Sequence, residues 1–320
     1  MAVPIGAAIS QSAPLSPASA TERHSLTLRI DNDAFDFWML PWNRPDDEYT
    51  SGVHIDYDGG DAPIWARAFL GGRESCVVGA RSCRSARMEL GQDIYTPSVS
   101  VDSAHAAPGS RPNAGWLFLS QTARALDEHR SDEFTLTAGV TGAPSLARYM
   151  QALAHRAGPA FNRPTDWSRQ LGFEPGIVAR VEERRRVSLI ESDAFGADIL
   201  PRVAASVGNV ITNAELGLDT RVGVHLPHPW LVEANRFALT LSAGASGQAV
   251  ARNLFLDGNT FKRSVHVGHE PFVLSGNAGI ELRYEEFTLG YRAQSDSRAY
   301  ALGPKWHPWA TLVGGVSVDR

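Results

Sequence analysis

Apolar and polar residues alternate with a period of two along most of the chain, and this pattern constrains the fold more than any other feature. Leu26, Leu28 and Ile30, for example, alternate with Thr27 and Arg29. Successive side chains of a β-strand point to opposite faces, so this period predicts strands with one apolar and one polar face. About 12 such segments follow one another, which predicts an all-β fold.

The polar face of the predicted strands carries charges of both signs, and its environment decides between two fold classes. A soluble β-sandwich could turn this face to water. A transmembrane barrel would turn it to a polar lumen, where opposite charges pair, and would turn the apolar face to lipid. The charged residues on this face are Arg29, His54, Asp56, Arg180, Glu182, Arg202, Glu281, Arg283 and Arg292.

An even number of strands favours the barrel over the sandwich, and so do aromatic residues near the predicted strand ends, which suit an interfacial girdle. These aromatic residues are Trp116, Phe134, Phe237, Phe287 and Trp309. We predict a transmembrane antiparallel β-barrel of about 12 strands with both termini on the periplasmic side. The pattern alone leaves the sandwich open.

The net charge and the lengths of the apolar runs limit the partners that the chain can have. The composition changes near residue 20, which indicates a boundary there. The net charge of −5 does not favour a nucleic-acid partner, and the chain has no apolar run long enough for a transmembrane helix. Residues 1–20 carry no charge and end in Ala18-Ser19-Ala20, a small-x-small pattern typical of signal-peptide cleavage. We interpret residues 1–20 as a truncated signal peptide or a disordered leader, and residues 21–320 as the barrel.

Two cysteines, Cys76 and Cys83, lie close together in the sequence. An isolated pair in an exported protein suggests a small loop disulfide, because disulfides persist in oxidising compartments. The alternative is two free thiols.

One segment, Ser145–Ala157, breaks the strand pattern and reads as a helix. Pro144 precedes it, and Gly158-Pro159 ends it. Gln151 and His155 are four residues apart, so both lie on one helix face. Histidine suits general-base chemistry near neutral pH, although a lone histidine is more often a surface residue.

Two further groups of polar residues lie at predicted strand ends. Asp31, Asn32 and Asp33 close the first strand, and carboxylate and amide oxygens suit a hard cation such as Ca²⁺. The same residue types also form ordinary turns. Thr50 opens the second strand, where its hydroxyl could contact a substrate or satisfy the backbone.

Taken in order, eight segments of the chain resemble the outer-membrane lipid A 3′-O-deacylase family (the LpxR family). The resemblance extends from about Leu26 to Leu312. The segments are Ile30–Phe35 (IDNDAF), Asp47–Gly52 (DEYTSG), Gly91–Ser98 (GQDIYTPS), Arg111–Ser120 (RPNAGWLFLS), Gly139–Arg156 (GVTGAPSLARYMQALAHR), Asp166–Gly176 (DWSRQLGFEPG), Ala205–Gly217 (ASVGNVITNAELG) and Ala251–Phe261 (ARNLFLDGNTF).

This resemblance implies a 12-stranded outer-membrane barrel with a lipid-facing active site near its outer rim. It also implies Ca²⁺-dependent removal of the 3′-linked acyloxyacyl group of lipid A. The family's histidine base corresponds to His155 and its glutamine to Gln151. Its Asn-Asp pair corresponds to Asn32 and Asp33, with Asp33 as the Ca²⁺ ligand, and its hydroxyl residue to Thr50. The short helix is then expected in an extracellular loop.

Two other functions remain open at this point. A non-enzymatic barrel, either a channel or a structural protein, would explain the strands equally well. It would not explain why an amide, a carboxylate, a threonine, a glutamine and a histidine all fall near strand ends and on one helix. A soluble β-sandwich that binds sugars is the third possibility. We expect a monomer that contacts outer-membrane lipid and lipopolysaccharide.

Overall fold

The structure is a computed structural model that describes residues 22–35, 48–59, 63–71, 73–97, 109–157, 167–233 and 236–319. Its strands are β1 (Arg23–Asn32), β2 (Glu48–Asp58), β3 (Ser82–Thr96), β4 (Ala114–Asp127), β5 (Arg130–Thr141), β6 (Pro175–Arg185), β7 (Val187–Glu191), β8 (Phe195–Gly208), β9 (Ile211–Val224), β10 (Ala238–Asn253), β11 (Phe272–Tyr284), β12 (Phe287–Ser297) and β13 (Trp306–Asp319). Its α-helices are α1 (Arg67–Leu70), α2 (Ala147–Ala157) and α3 (Leu254–Asp257).

The strands form one closed antiparallel barrel. Neighbouring strands pair in sequence order, and β1 pairs with β13, so that Arg23 faces Asp319. The ring closes where β6 pairs with β8, from Val178–Gly208 to Arg184–Arg202. The five-residue β7 follows β6 directly and pairs with the beginning of β8, so it continues the β6 position of the wall. Twelve strand positions therefore make the barrel, which confirms the predicted fold class.

The two faces of the wall differ as the alternation predicts. Leu26 and Leu28 on β1 and Ile55 on β2 are exposed on the outer face. On the inner face Arg29 Nε lies 2.7 Å from Asp56 Oδ2. Other charges of the inner face also pair inside the barrel, among them Arg180 with Glu182 and Arg283 with Glu281. The sandwich alternative is therefore wrong, and charge pairing inside a closed ring accounts for the polar face.

The predicted aromatic girdle is correct for three of its five residues. Phe134, Phe237 and Phe287 lie on the outer face near the end of the barrel that holds the termini. Trp116 points inward and is buried against Phe118. Trp309 also points inward, with its ring edge-on to Tyr49. Alternation assigns a residue to a face only when the register is known, and proximity to a strand end does not supply it.

We call the end of the barrel at Arg23 and Asp319 the terminal end, and the opposite end, where β5 leads into α2, the site end. Two-residue turns join β4 to β5 and β11 to β12 at the terminal end, which also carries the longer connections 59–81 and 225–237. The longest connection, 142–174, lies at the site end. Outer-membrane barrels have short periplasmic turns and longer extracellular loops. By this rule the longest loop favours the site end as the extracellular side, and the periplasmic position of the termini stays a prediction.

Side chains and loops obstruct the interior at both ends. At the site end, Leu254 and Phe255 of α3 enter a buried apolar cluster with Trp116, Phe118, Leu171, Val178 and Val210. At the terminal end, the segment 225–233, which we call the strap, crosses the mouth. Trp230 Nε1 donates to Asp127 O at 2.6 Å, and Arg23 Nη1 donates to Glu233 O at 2.5 Å. Both ends of the lumen are therefore obstructed, and a polar cavity of about 380 Å³ remains between the strap and the inner faces of β1 and β13.

Two further features concern segments outside the wall. Cys76 and Cys83 form a disulfide, as the sequence suggested. Within the described residues, no helix is long and apolar enough to cross a membrane. Residues 1–20, predicted as a leader, lie outside the described residues, and that interpretation stays a prediction.

Candidate functional site

The first side of the candidate site is the end of β1. Side chains of β1 alternate, so Asn32 lies on the outer face with Leu28, while Asp31 points into the barrel. Asp33 is buried and begins a single 3-10 turn, Asp33–Phe35. This turn folds outward, since the hydroxyl of Tyr291, on the outer face of β12, donates to Phe35 O at 2.8 Å.

The structure therefore separates the acidic cluster that the sequence suggested as one cation site. Asp31 belongs to a polar network inside the barrel. Its Oδ2 lies 2.7 Å from the Tyr49 hydroxyl and 3.3 Å from His54 Nε2, and its Oδ1 accepts from Thr311 Oγ1 at 2.7 Å. Asn32 remains on the outer face, and Asp33 is buried in the 3-10 turn that follows it. The inner network ties β1, β2 and β13 together directly behind them.

Thr50 lies beside Asn32 at a β-bulge. Asn32 pairs with Ser51 of β2, and the register between β2 and β3 shifts between Tyr49 and Ser51. A bulge places two residues opposite one and bends the strand locally, which is common near functional sites. The backbone of Thr50 is therefore one residue from the position that faces Asn32. Its side chain lies outside the described part.

The second side of the candidate site is α2, which lies on the outer face of β3 and β4. Gln92, an outward-facing residue of β3, donates from Nε2 to Ser145 O at 2.5 Å. On β4, a Cβ at Gly115 would overlap the side chains of Ser145 and Ala147. Glycine at this position allows the helix to approach the wall, and Gln92 holds the turn that begins it.

One row of paired residues connects the two sides. Asn32 pairs with Ser51, Ser51 with Ile94, and Ile94 with Gly115, which lies under α2. Neighbouring strands are about 4.8 Å apart, so the backbones of Asn32 and Gly115 are roughly 14 Å apart. Asn32 and α2 therefore lie on one outward-facing stretch of the wall, with Ser51 and Ile94 between them.

The faces of α2 differ sharply. Tyr149 and Leu153 are exposed on the side away from the wall, whereas Gln151 is buried. The Oε1 of Gln151 accepts a hydrogen bond from Trp167 Nε1 at 2.9 Å. His155 belongs to α2, one helical turn after Gln151, which confirms the predicted helix. The side chain of His155 lies outside the described part.

Glu174 anchors the loop that carries α2. Its buried carboxylate accepts hydrogen bonds from Asn209 Nδ2 and Asn259 Nδ2, both at 3.0 Å, and from Thr260 N at 2.8 Å. Burial alone would raise the pKa of this carboxyl, but these hydrogen bonds hold the pKa below its usual range. Glu174 therefore fixes the end of this loop to two other loops at the site end.

Sequence reasoning missed Gln92, Trp167 and Glu174, the residues that hold α2 in place. Only Gln92 had a usable signal. It is a polar residue on the apolar face of β3, between Leu90 and Ile94. A polar side chain on a face otherwise turned to lipid requires a partner, and here the partner is the turn before α2.

The residues at the end of β1 carry oxygen atoms that could bind a hard cation. Asp33 and Asn32 offer carboxylate and amide oxygens, the donor type that Ca²⁺ prefers. Within the described ranges, no cluster of three or more His, Cys, Asp or Glu side chains could hold a metal. Ca²⁺ takes about 6–8 oxygen ligands, including carbonyls and water. Asp33 and Asn32 therefore supply the donor type for such an ion, and Asp33 as its carboxylate ligand stays a prediction.

Comparisons with known proteins agree with this architecture. The family described as outer membrane protein LpxR matches residues 3–318. LpxR from Salmonella typhimurium superposes with a TM-score of 0.74 at 16% identity, covering 91% of this chain and 99% of that chain. The β domain of the Bordetella autotransporter BrkA gives a TM-score of 0.45 at 11% identity, covering 93% of this chain and 98% of that one. A search of the curated proteins found no match.

Proposed function

The chain belongs to the outer membrane protein LpxR family, and from this premise we propose that it is a Ca²⁺-dependent lipid A deacylase of the outer membrane. The proposed reaction is hydrolysis of the ester that links the acyloxyacyl group to the 3′ position of lipid A. The carrying observation is that Asn32 and α2 lie on the same outward-facing stretch of the wall. A lipid substrate would reach this surface from within the membrane.

The proposed mechanism needs an activated water and a stabilised oxyanion. His155 would act as the general base and remove a proton from a water molecule as the water oxygen attacks the ester carbonyl carbon. The bond between the acyl carbon and the 3′ oxygen of the sugar then breaks, and this oxygen takes the proton from the His155 imidazolium. The products are a free acyloxyacyl fatty acid and lipid A with a free 3′-hydroxyl.

The other residues of the site would orient the water, the base and the ester. Asn32, Thr50 and Gln151 would hold the water, the base or the developing oxyanion by hydrogen bonds. Asp33 would hold Ca²⁺, which when bound supplies positive charge to the ester carbonyl oxygen. Burial of Gln151 and its bond to Trp167 support a fixed position for this helix, as such a reaction requires.

The obstruction of the lumen at both ends supports the enzymatic proposal over the channel alternative. The strap crosses the terminal end, and the cluster around Phe255 fills the site end. A channel would need a continuous aqueous path through the lumen, whereas an enzyme that acts on its outer face does not.

Mass spectrometry of lipid A tests the proposal directly. Cells that express the protein should contain lipid A lacking the 3′-linked acyloxyacyl group, and control cells should not. The purified protein in detergent should release the same fatty acid when Ca²⁺ is present. Unchanged lipid A in both assays, with the barrel folded, would refute the proposed function.

A further inference from the structure

The segment 63–71, between β2 and β3, lies on the outside of the barrel at the terminal end. It comprises the 3-10 turn Ile64–Ala66 followed by α1. Ala66 and Leu70 pack against Ala123 and Ala125 of β4, and all four are buried. Ala123 and Ala125 share the face of the exposed Leu119, so this segment covers part of the outer, lipid-facing surface.

A hydrogen bond supports this position independently of the apolar packing. Gln121, also on the outer face of β4, accepts from Trp65 Nε1 at 3.0 Å. Without a partner, an amide on this face would be left unsatisfied among lipid chains, at a cost in free energy. The ring of Trp65 also packs edge-on against Phe134 of β5, with centroids 5.4 Å apart, and Phe69 lies 6.0 Å from the same ring.

The other side of this segment is apolar and exposed. Ile64 is 78% exposed, Trp65 41% and Phe69 40%. This surface continues the exposed apolar surface of the wall, where Leu119 and Leu90 are each 50% exposed. Since the wall of an outer-membrane barrel is turned to lipid, the surface of 63–71 adjoins an established lipid interface.

The chain that leaves the segment is held firmly. Arg84 Nη1 donates to Arg73 O at 2.8 Å, and Arg84 N donates to Glu74 O at 2.7 Å. The Cys76–Cys83 disulfide then closes the loop into β3. These contacts fix the height of α1 along the barrel.

We propose that residues 63–71 form an interfacial anchor that inserts Ile64, Trp65 and Phe69 into the inner, periplasmic leaflet of the outer membrane, with phospholipid as its partner. Short amphipathic segments lie in this boundary with their apolar face among acyl chains, and tryptophan favours the headgroup level. The anchor replaces lipid over the small residues Ala123 and Ala125 and extends the lipid-contacting surface outward. It depends on the location of the barrel and not on the proposed hydrolysis.

Spin labelling in phospholipid vesicles tests the anchor. A nitroxide would be attached to Ile64→Cys, with Leu119→Cys as the lipid reference and Asp193→Cys, in an exposed turn at the terminal end, as the water reference. The two native cysteines are disulfide-bonded and do not react. Each variant is first checked for heat-modifiable migration, which reports a folded barrel.

The label at position 64 should collide with oxygen several-fold more than with a water-soluble nickel complex, as the label at 119 does. The label at 193 should show the opposite ratio. A ratio at 64 that equals the ratio at 193 would overturn the anchor. Low accessibility to both reagents would overturn it as well, because a protein surface or a second copy would then cover the segment. A nitroxide attached to Phe69→Cys measures the accessibility of the same face at a second position.

Discussion

Two helical segments lie on the outer face of β4, one at each end of the barrel, and they are held there in different ways. At the site end, α2 is fixed mainly through polar contacts, from Gln92 to Ser145 O and from Trp167 to Gln151. At the terminal end, the segment 63–71 rests mainly on the alanines Ala123 and Ala125, with the hydrogen bond from Trp65 to Gln121 beside them.

This difference corresponds to what each segment is required to do. Hydrogen bonds are directional, so they fix a helix in rotation and height, and a reacting group needs such a fixed position. Apolar burial is not directional, and it suffices for a segment whose partner is fluid lipid. Polar support therefore marks the end of the wall where we propose chemistry.

The largest expected effect is on the deacylation rate, and it distinguishes α2 from the segment 63–71. His155→Ala should lower the rate of deacylation by about 10²–10⁴, because a general base contributes this much, while the barrel still folds. Ile64→Ser on the other segment is the matched control and should keep the wild-type rate. Fatty-acid release in detergent measures both variants. Near-normal turnover by His155→Ala would remove the catalytic role from α2 and leave the fold untouched.

Removal of Ca²⁺ should have the next largest effect. Loss of a group that stabilises an oxyanion typically costs about 10²–10³ in rate, so excess chelator should suppress deacylation to this extent. Added Ca²⁺ should restore it, and Asp33→Asn should require much more Ca²⁺ for the same rate. Full activity in chelator would exclude the metal. Neither treatment should change the spin-label ratio at position 64.

A smaller loss is expected for Gln151→Ala, roughly 10- to 100-fold, since a hydrogen bond to a charged group contributes about 1.5–3 kcal/mol. Trp167→Phe removes only the bond that holds Gln151 and should cost less than Gln151→Ala. If the two variants lose the same activity, Gln151 supports the helix and does not contact the substrate. Gln151→Ala should in any case remain more active than His155→Ala.

Gln92→Leu tests the support of α2 from the wall. The variant removes the donor to Ser145 O, a bond whose net contribution is about 0.5–1.5 kcal/mol, so activity should fall roughly 2- to 10-fold. Met88→Leu, on the same outer face of β3 and away from α2, should be neutral. An effect of Gln92→Leu on barrel unfolding alone, with a normal rate for the folded fraction, would show that the bond does not position the helix.

The alternation of apolar and polar residues was enough to predict the strands, their approximate number and the charge pairing inside the barrel, because each of these follows from which face a residue occupies. The aromatic prediction was wrong for Trp116 and Trp309, which point into the interior. Their orientation depends on strand register, which spans the whole wall and is not a local property of either segment.

The residues of the candidate site were found by resemblance to a family, and the structure adds how they are arranged. Asp31, Asn32 and Asp33 are adjacent in sequence, yet the pleat of β1 turns Asp31 inward and Asn32 outward. α2 is positioned by Gln92 and Gly115, which precede the helix by tens of residues. The cover of α1 over Ala123 is likewise a tertiary contact, and nothing in either local sequence predicts it.

The smallest expected effect on activity concerns the hydrogen bond that Trp65, in the 3-10 turn before α1, donates to the wall. Trp65→Phe keeps the ring against Phe134 and removes the donor to Gln121, whose amide is then left unsatisfied beside lipid. The free energy of unfolding should fall by about 1–3 kcal/mol, the cost of an unsatisfied buried polar group. Gln121→Leu removes the amide, and the double variant should unfold at nearly the wild-type urea concentration, because replacement of both partners by apolar groups is nearly neutral. Urea unfolding of all four proteins in phospholipid vesicles gives the coupling free energy as a double-mutant cycle. Additive losses would mean that Trp65 and Gln121 do not interact, and deacylation should stay at the wild-type rate in every variant, in contrast to Gln92→Leu at the opposite end of the same wall.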